Sequence, residues 1–358
     1  MARAVDEAHD VLKDHEQALR LLRMMLLIRR FEERTEEQYT RARIGGYCHL
    51  AIGEEAANVG SIDCLEADDY LFTSYRDHAA ALAVGSSASA VMAELFGKET
   101  GVARGYGGSM HLLDVERHFL GGWGIVGGHL PIAVGAALAL DYQDAPGAVL
   151  CQFGDGATNT GAFHEALNLA ALWRLPIVFQ VINNLYGMGT SVEQASAEPE
   201  LYKRACAYRM HSERVDGNDV LTVREAAGRL LARAREESSP ALLETTTYRF
   251  RGHSVADAGK VYRTPEEIAS WRERDPITHY VAILREHDLL SDEELDRMRK
   301  QVADEVSEAI REAAAAPTPD PGELYQNVYG DEGWREQFAR MNTAAPFGER
   351  KETRSWQT

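Results

Sequence analysis

The sequence is poor in cysteine, contains no long apolar run and carries no excess of positive charge, and each of these absences excludes a class of protein. Membrane spans need about 18 consecutive apolar residues, and no run here is that long. The N-terminus has neither the apolar core of a signal peptide nor the acid-poor composition of a transit peptide, so we expect a cytoplasmic protein. The cysteines show no CxxC pair, which argues against a zinc site or a disulfide framework and for a reducing compartment. They are Cys48, Cys64, Cys151 and Cys206.

Net charge and chain length limit further the classes of protein to which the chain can belong. The 358 residues include 56 Asp and Glu but only 38 Lys and Arg, which gives a formal net charge of −18. Nucleic-acid binding depends on clustered cations that neutralise phosphates, so this balance argues against it. Hydrophobic residues at 45% and charged residues at 26% are ordinary for a globular protein, and the length suits one large α/β domain or two smaller ones.

Apolar periodicity predicts helices near both ends of the chain. Leucines recur at helical spacing among Arg and Glu over residues 15–39, which indicates a helix. Ser291 and Glu294 have the spacing of a capping box, and one face of the helix that follows carries Leu295, Met298, Val302, Val306 and Ile310. We therefore divide the chain into an N-terminal helical extension (1–40), a ligand-binding core (41–315) and an irregular C-terminal tail (316–358).

A β-α-β pattern occupies the middle of the chain. Residues 148–153 (AVLCQF) predict a buried strand, residues 158–173 a helix, and residues 175–182 (LPIVFQVI) a second buried strand. Continuous apolar strands joined by a crossover helix are typical of a parallel sheet flanked by helices. A helix over 222–237 and a strand over 241–250 continue the alternation, so we predict an α/β fold.

Polar residues and glycines follow these two strands at the point where each strand ends. Gly154-Asp155-Gly156 follows the first strand, and Asn183-Asn184 follows the second. A right-handed crossover brings the carboxyl ends of both strands to one edge of the sheet, where ligands of open α/β sheets bind. Carboxylate and amide oxygens suit Mg²⁺, while the glycines and the N-terminus of the following helix let the backbone approach a diphosphate. This arrangement is typical of thiamine diphosphate sites; the alternative is a structural turn beside an unrelated asparagine pair.

A second glycine motif lies within GGWGIVGG, where Gly122, Gly124 and Gly127 have the GxGxxG spacing of dinucleotide-binding folds. That fingerprint needs a strand before it and a βαβ unit with an acidic residue after it. We expect neither here, and therefore keep a dinucleotide-dependent dehydrogenase only as an alternative.

Several further segments are similar to those of one family. They are GGYCHLAIGEEAANVG (45–60), TSYRDH (73–78), GYGGSMHL (105–112), GGWGIVGG (121–128), INNLYGMGTSVE (182–193) and YRFRGHSVADAGKVYRT (248–264). Over nearly its whole length the chain resembles the E1 α subunits of thiamine-diphosphate-dependent 2-oxo acid dehydrogenases. TSYRDH and GYCHL favour the pyruvate dehydrogenase branch. The resemblance implies a thiamine-diphosphate-binding fold for the core.

The resemblance also implies a site. It implies catalytic roles for His49 and His253, and it adds the backbone carbonyl of Tyr186 as a third Mg²⁺ ligand beside Asp155 and Asn184. The residues that it implies for binding the cofactor are Tyr75, Arg76, Gly124, Val126, Asp155, Gly156, Ala157, Asn184, Tyr186, Arg249 and His253. Among the other histidines, we interpret His164 as ordinary and leave His111 and His129 open between structural and functional roles.

The implied activity is the oxidative decarboxylation of pyruvate, a small 2-oxo acid, with transfer of the acetyl group to a lipoyl-bearing E2 acyltransferase. The implied cofactors are thiamine diphosphate and Mg²⁺. No segment resembles the module that activates the aminopyrimidine ring, so the resemblance implies a separate E1 β subunit and an α₂β₂ heterotetramer. Alternatives within the superfamily are the α subunits of acetoin and branched-chain 2-oxo acid dehydrogenases. An alternative from another class is a non-catalytic binding subunit that keeps the fold.

Overall fold

Parallel strands form the sheet at the centre of the fold. The computed structural model of the chain describes residues 9–325. The strands are β1 (Tyr70–Ser74), β2 (Phe119–Trp123), β3 (Val149–Gly154), β4 (Ile177–Asn183), β5 (Tyr186–Gly187), β6 (Thr190–Ser191), β7 (His211–Asp216) and β8 (Ala241–Thr246). The central sheet has six of them in the order β2-β1-β3-β4-β8-β7, with every neighbouring pair parallel. β5 and β6 form a short antiparallel hairpin after β4.

Helices cover both faces of this sheet. They are α1 (His9–Lys13), α2 (His15–Thr40), α3 (Glu55–Ile62), α4 (His78–Ala83), α5 (Ala88–Leu95), α6 (Leu130–Tyr142), α7 (Gly161–Trp173), α8 (Val192–Ala195), α9 (Val220–Glu237), α10 (Pro265–Arg272), α11 (Pro276–Glu286) and α12 (Asp292–Ala315). Shorter 3-10 turns occur at Gly108–Met110, Val115–Arg117, Asp155–Asn159, Leu201–Tyr208 and Pro321–Tyr325. Within 9–325 none of the helices is both long and apolar enough to cross a membrane.

Alternate side chains of the buried strands contribute to two hydrophobic clusters. Val178 of β4 packs in the cluster that contains residues of α2, α3, α9 and α12, whereas Phe179 and Val181 pack in the cluster with residues of α6 and α7. A strand buried on both faces is characteristic of a parallel sheet between helical layers. The prediction of an α/β fold with a parallel sheet flanked by helices is confirmed.

The described residues up to Pro317 form one compact unit. The division into an extension, a core and a tail stays a prediction. Residues 1–8 and most of the predicted irregular tail, 326–358, lie outside the described residues. The four cysteines are unpaired thiols in the described part of the chain.

Two element boundaries differ from the prediction. The crossover helix begins at Gly161, after a 3-10 turn, because Thr160 caps its N-terminus: Thr160 Oγ1 accepts a hydrogen bond from Phe163 N over 3.3 Å. The last strand ends at Thr246 instead of residue 250, and Tyr248 stacks on Trp271 with ring centroids 5.2 Å apart. A side-chain contact thus lies at each of the two boundaries.

The expectation that no strand precedes the GxGxxG motif is wrong. β2 runs into the motif and pairs with β1, although its sequence FLGGW contains two glycines, which weaken the strand signal. α6 connects β2 to β3, but β1 lies between these two strands in the sheet, whereas the first two strands of a dinucleotide-binding fold are neighbours. A strand is therefore present, but the arrangement that binds a dinucleotide is not.

The predicted capping box of α12 is confirmed. Ser291 Oγ accepts a hydrogen bond from Glu294 N (3.2 Å), and Glu294 Oε2 accepts one from Ser291 N (3.0 Å). Each contact satisfies a backbone N–H group that the first helical turn leaves without a partner. The apolar residues predicted for one face of this helix are buried.

We expect Ser291→Ala to lower the free energy of unfolding by about 1 kcal/mol, because the cap is lost while the packing of α12 is kept. The measurement is urea denaturation followed by circular dichroism. Ser307→Ala is the matched control, since the Ser307 hydroxyl only donates to Ala303 O within the same helix. Equal losses in the two variants would contradict a specific role for the cap.

Candidate functional site

The carboxyl ends of β3 and β4 bring the two predicted polar positions to one edge of the sheet. Gly154, the last residue of β3, pairs in register with Ile182 of β4. Asp155 and Asn184 therefore leave the sheet close together, and both line a cavity of about 250 Å³, here called the inner cavity. The carboxyl edge of a parallel sheet is where ligands bind in open α/β folds.

All the residues predicted for the site line the inner cavity or a wider cavity next to it. Those on the inner cavity are Tyr75, Arg76, Val126, Asp155, Gly156, Ala157, Asn184, Tyr186, Arg249 and His253. The wider cavity, here called the outer cavity, has a volume of about 710 Å³ and adds His49 and Gly124. Tyr75, Val126 and His253 border both cavities. The fold thus brings together residues from distant parts of the chain.

Asp155 places a carboxylate in the inner cavity with little access to water. The residue is 5% exposed and forms no ion pair within the described residues. Burial raises the pKa of Asp155 to about 6, although the nearby Arg249 guanidinium acts in the opposite direction. Burial disfavours the charged form of a carboxyl group, and a nearby cation favours it. The ionised side chain would therefore be stabilised by a cation that enters the cavity.

Two further oxygens beside Asp155 converge on one cationic nitrogen. Asn184 Oδ1 and the backbone carbonyl of Tyr186 accept hydrogen bonds from Arg249 Nη1, over 3.3 Å and 3.2 Å. Carboxylate, amide and carbonyl oxygens are the ligands that hard divalent cations prefer, so these residues could hold one. Residues 9–325 contain no cluster of three His, Cys, Asp or Glu side chains that could bind a metal, and this set has only one carboxylate.

Two buried guanidinium groups give the inner cavity a positive wall. Arg249 is 1% exposed, and Arg76 is also buried. Arg76 donates hydrogen bonds to the carbonyls of Leu50 (2.7 Å) and His253 (3.0 Å). Burial and then the charge of Arg76 lower the pKa of Arg249. Two cations held near each other in this way favour the binding of an anion. Arginine forms strong charge-assisted hydrogen bonds to phosphate.

Gly154 and Gly156 leave space in the inner cavity. A Cβ atom on Gly154 would meet no atom within 4 Å, and one on Gly156 would meet only Gly187 Cα at 3.7 Å. Packing therefore does not require glycine at either position, but a side chain would occupy cavity space that a ligand could use. Gly124 differs, because a Cβ atom there would lie 2.9 Å from His111 Cε1.

The rings of His49, Tyr75 and His253 meet where the two cavities join. The ring centroid of His49 lies 4.5 Å from that of Tyr75 and 5.0 Å from that of His253. Burial, together with the charge of Arg76, lowers the pKa of His49 to about 2 and the pKa of His253 to about 3. Burial raises the pKa of Tyr75. At neutral pH the two imidazoles are uncharged and the phenol keeps its proton, so the group contains both hydrogen-bond acceptors and a donor.

Glu54 is a buried carboxylate that the sequence analysis did not single out. Its Oε1 accepts a hydrogen bond from Asn184 Nδ2 (2.8 Å) and lies 3.8 Å from Arg76 Nε. By holding the amide nitrogen, Glu54 fixes which end of the Asn184 side chain faces Arg249. The sequence signal was weak, because Glu54 and Glu55 are adjacent in one segment and only Glu54 makes these contacts. Glu55 instead accepts a hydrogen bond from Gly53 N.

Of the two histidines that were left open, only His129 lines a cavity, and both make structural contacts. His129 lines the inner cavity, its Nε2 lies 2.9 Å from Gln152 O, and burial lowers its pKa to about 4. His111 Nδ1 lies 3.3 Å from Gly122 O. His164 hydrogen-bonds to a tyrosine in an exposed position and lines neither cavity, in line with its interpretation as ordinary.

The chain is similar to known proteins over most of its length. Residues 23–322 match the family model described as "Dehydrogenase E1 component". The chain is 43% identical over 314 residues to the "Pyruvate dehydrogenase E1 component subunit alpha" of Rhizobium meliloti (strain 1021), covering 87% of this chain and 90% of that protein. It is 43% identical over 325 residues to the "Pyruvate dehydrogenase E1 component subunit alpha-3, chloroplastic" of Oryza sativa subsp. japonica, covering 88% and 76%. Identity to the Rickettsia bellii (strain RML369-C) "Pyruvate dehydrogenase E1 component subunit alpha" is 40% over 315 residues, covering 88% and 96%.

The raised pKa of Asp155 predicts how its replacement changes stability. Because the pKa in the folded state, about 6, lies above the ordinary value of 3.8, the folded protein loses stability as the pH rises through this window. An amide side chain cannot ionise, so we expect the cofactor-free Asp155→Asn variant to be more stable than wild type at pH 8, by roughly 3 kcal/mol at most. The measurement is thermal unfolding with EDTA present.

The same comparison at pH 4 provides the control. The advantage of Asp155→Asn should shrink at that pH, where the wild-type carboxyl group is protonated in the folded state. An advantage that did not change between pH 4 and pH 8 would mean that Asp155 is not a buried, unpaired carboxylate.

Proposed function

The chain belongs to the dehydrogenase E1 component family, and from that premise we propose how its site carries out the oxidative decarboxylation of pyruvate. The chain has the function of a pyruvate dehydrogenase E1 α subunit, since the family model and relatives of that name each match most of it. These relatives favour pyruvate over acetoin and over branched-chain 2-oxo acids. A purely structural role would not require the buried charges of the inner cavity.

One observation carries the proposal that Mg²⁺ binds here. Asn184 Oδ1 and the carbonyl of Tyr186 both face one positive charge, the guanidinium of Arg249, beside the carboxylate of Asp155. The two oxygens thus already face a positive charge, and together with the carboxylate they form a donor set that fits Mg²⁺, which completes its shell with water and phosphate oxygens. Asp155, Asn184 and Tyr186 would therefore hold the metal.

The family depends on thiamine diphosphate. This cofactor supplies, when bound, the nucleophilic carbon and the electron sink that decarboxylation needs. We assign its diphosphate to the inner cavity, where Arg76 and Arg249 provide two buried positive charges. The backbone at Gly156 and Ala157 lines the same cavity, and the lack of a side chain on Gly156 lets a phosphate oxygen come close.

The outer cavity is our proposed location for the 2-oxo acid. His49 and His253 each have a buried Nδ1 atom without a hydrogen-bond partner in the described chain, so Nε2 is the nitrogen that a reactant can reach. Uncharged imidazoles can accept a hydrogen bond at this atom, and the phenol of Tyr75 can donate one to a carboxylate or carbonyl oxygen. These three side chains would orient the substrate.

Exposed apolar residues support a partner protein at the outer cavity. Tyr47 is 67% exposed and Met188 63%, and both line the cavity together with the exposed Val126. Large exposed apolar side chains grouped around a ligand site are typical of a protein interface. We infer that an E1 β subunit covers this face in an α₂β₂ heterotetramer and supplies the carboxylate that activates the aminopyrimidine ring. A lipoyl arm of E2 would then receive the acetyl group, and we propose the cytoplasm as the location.

We expect Asp155→Ala to weaken Mg²⁺-dependent binding of thiamine diphosphate by about 100-fold or more, since losing even an outer partner of a metal costs about 10- to 100-fold. Binding is measured by calorimetry on the assembled α and β subunits. Asp216→Ala is the matched control, because Asp216 ends β7 at the same sheet edge but pairs with Arg274 and lies outside both cavities. Wild-type affinity in Asp155→Ala would rule out the metal assignment.

We also expect the purified chain alone to show no decarboxylation of pyruvate, because the outer cavity is open on the side where the β subunit is proposed to bind. Addition of the β subunit should restore turnover in proportion to the heterotetramer formed. Release of CO₂ from labelled pyruvate is the assay, with the β subunit alone as the control. Turnover by a homogeneous preparation of this chain would overturn the shared-site proposal.

A further inference from the structure

Three buried polar side chains from distant parts of the sequence are joined by hydrogen bonds behind the site. Glu32 lies on α2, His78 begins α4, and Ser109 lies in the turn Gly108–Met110. Glu32 Oε2 lies 2.8 Å from His78 Nδ1, and His78 Nε2 lies 2.9 Å from Ser109 Oγ. We refer to these three residues as the buried triad. Although a Ser-His-Glu arrangement can serve nucleophilic catalysis, none of its members lines either cavity, so no substrate reaches Ser109 there.

The second oxygen of Glu32 reaches the segment that carries two site residues. Glu32 Oε1 accepts a hydrogen bond from Ala51 N over 2.8 Å, and Ala51 lies between His49 and Glu54 in the sequence. The same segment is held from the other side, where Leu50 O accepts a hydrogen bond from Arg76. Glu32 therefore fixes the backbone between His49 at the outer cavity and Glu54, which orients Asn184.

His78 connects this segment to two other walls of the cavities. It lies two residues after Arg76 and three after Tyr75, so its position bears on both side chains. Its Nε2 atom also lies 3.1 Å from the backbone carbonyl of Ser109. The next residue, Met110, lines the outer cavity and approaches Gly124. The His78 imidazole thus connects the cavity wall that contains Arg76 to the wall that contains Met110.

The buried triad keeps its geometry because water does not compete for its hydrogen bonds. Burial acts to lower the pKa of His78, but the charge and hydrogen bond of Glu32 outweigh it, so the pKa is raised. Glu32 and His78 therefore form a buried hydrogen-bonded pair with every contact directed at protein atoms. Such a buried polar pair is not a strong source of net stability, and specifying one arrangement of the structure is a function that it can serve.

We propose that Glu32, His78 and Ser109 are positioning residues that hold the walls of the thiamine diphosphate site in their binding geometry. The inference rests on the proposed function, because it concerns how that site binds Mg²⁺ and thiamine diphosphate. It assigns a role to residues that touch neither ligand. Their effect passes through the backbone at Ala51 and through Arg76, and from there to Glu54 and Asn184.

Two substitutions of Glu32 separate the effect of side-chain length from the effect of charge. Glu32→Gln keeps the length of the side chain: its amide oxygen can accept from Ala51 N, and its amide nitrogen can donate to Nδ1 of an uncharged His78. Glu32→Asp keeps the charge but is one methylene shorter, so it cannot hold both contacts. Asp69→Ala is the control for a general loss of stability, because Asp69 is also buried, accepts a hydrogen bond from Ala148 N and pairs with Arg235 at the opposite edge of the sheet.

The measurement is the dissociation constant of Mg²⁺-thiamine diphosphate for the assembled α and β subunits, by calorimetry below the unfolding temperature of every variant. We expect Glu32→Asp to weaken binding about tenfold, as for other partners that act through a ligand, while Glu32→Gln stays close to wild type. Asp69→Ala should lower the melting temperature without changing the dissociation constant.

The outcomes separate this inference from the proposed function. If Glu32→Asp bound the cofactor as wild type does, or if Glu32→Gln bound more weakly than Glu32→Asp, the positioning role would be overturned while the function stood. If wild type itself bound no Mg²⁺-thiamine diphosphate, the proposed function would fail. If Glu32→Asp did not assemble, Ser109→Ala would replace it: His78 then keeps Glu32 but loses one hydroxyl contact, and unchanged binding of the 2-oxo acid and the cofactor would overturn the role of the triad.

Discussion

The carboxylate of Asp155 sets the constraint on which the site depends: it is held away from water without an ion pair, so its charged form is costly until a cation reaches it. The register between β3 and β4 brings Asn184 to the same edge of the sheet, and Tyr186 adds a carbonyl oxygen from the hairpin that follows. Burial also disfavours the charged forms of Arg249, His49 and His253. Buried groups of opposite charge with shifted pKa values in one cavity are typical of a functional site. A metal cation and an anion that bind together would offset the cost of burying both kinds of charge.

The orientation of these groups depends on two acidic residues, Glu54 and Glu32, that line neither cavity. Glu54 holds the amide nitrogen of Asn184 and leaves its oxygen for the cavity, while Glu32 holds the backbone beside Ala51. Both carboxylates are buried and accept hydrogen bonds from fixed donors. A buried donor or acceptor that loses its partner is costly, so each of these contacts has essentially one stable arrangement. Contacts between distant parts of the chain thereby fix the directions in which a small number of oxygen and nitrogen atoms at the site point.

The sheet and the positions of Asp155 and Asn184 could be predicted from the sequence because they follow from local patterns. Continuous apolar strands and the handedness of the crossover suffice to place both residues at one edge. Glu54 and the buried triad were missed, because their contacts join residues far apart in the sequence and no local pattern marks them. β2 was missed because its two glycines interrupt the strand signal, and the end of β8 was placed too late because the stacking of Tyr248 on Trp271 is a tertiary contact. The family resemblance supplied Tyr75, Arg76 and Arg249, which no pattern of spacing identifies.

Electron paramagnetic resonance with Mn²⁺ in place of Mg²⁺ tests the central claim most directly. The assembled protein would be titrated with Mn²⁺ in the presence and absence of thiamine diphosphate, and hyperfine couplings from phosphorus would be recorded on the bound ion. The account predicts one tightly bound Mn²⁺ for each chain, phosphorus couplings that show direct contact with the diphosphate, and loss of this species in Asp155→Ala. Bound Mn²⁺ without phosphorus coupling, or the same coupled species in Asp155→Ala, would contradict it.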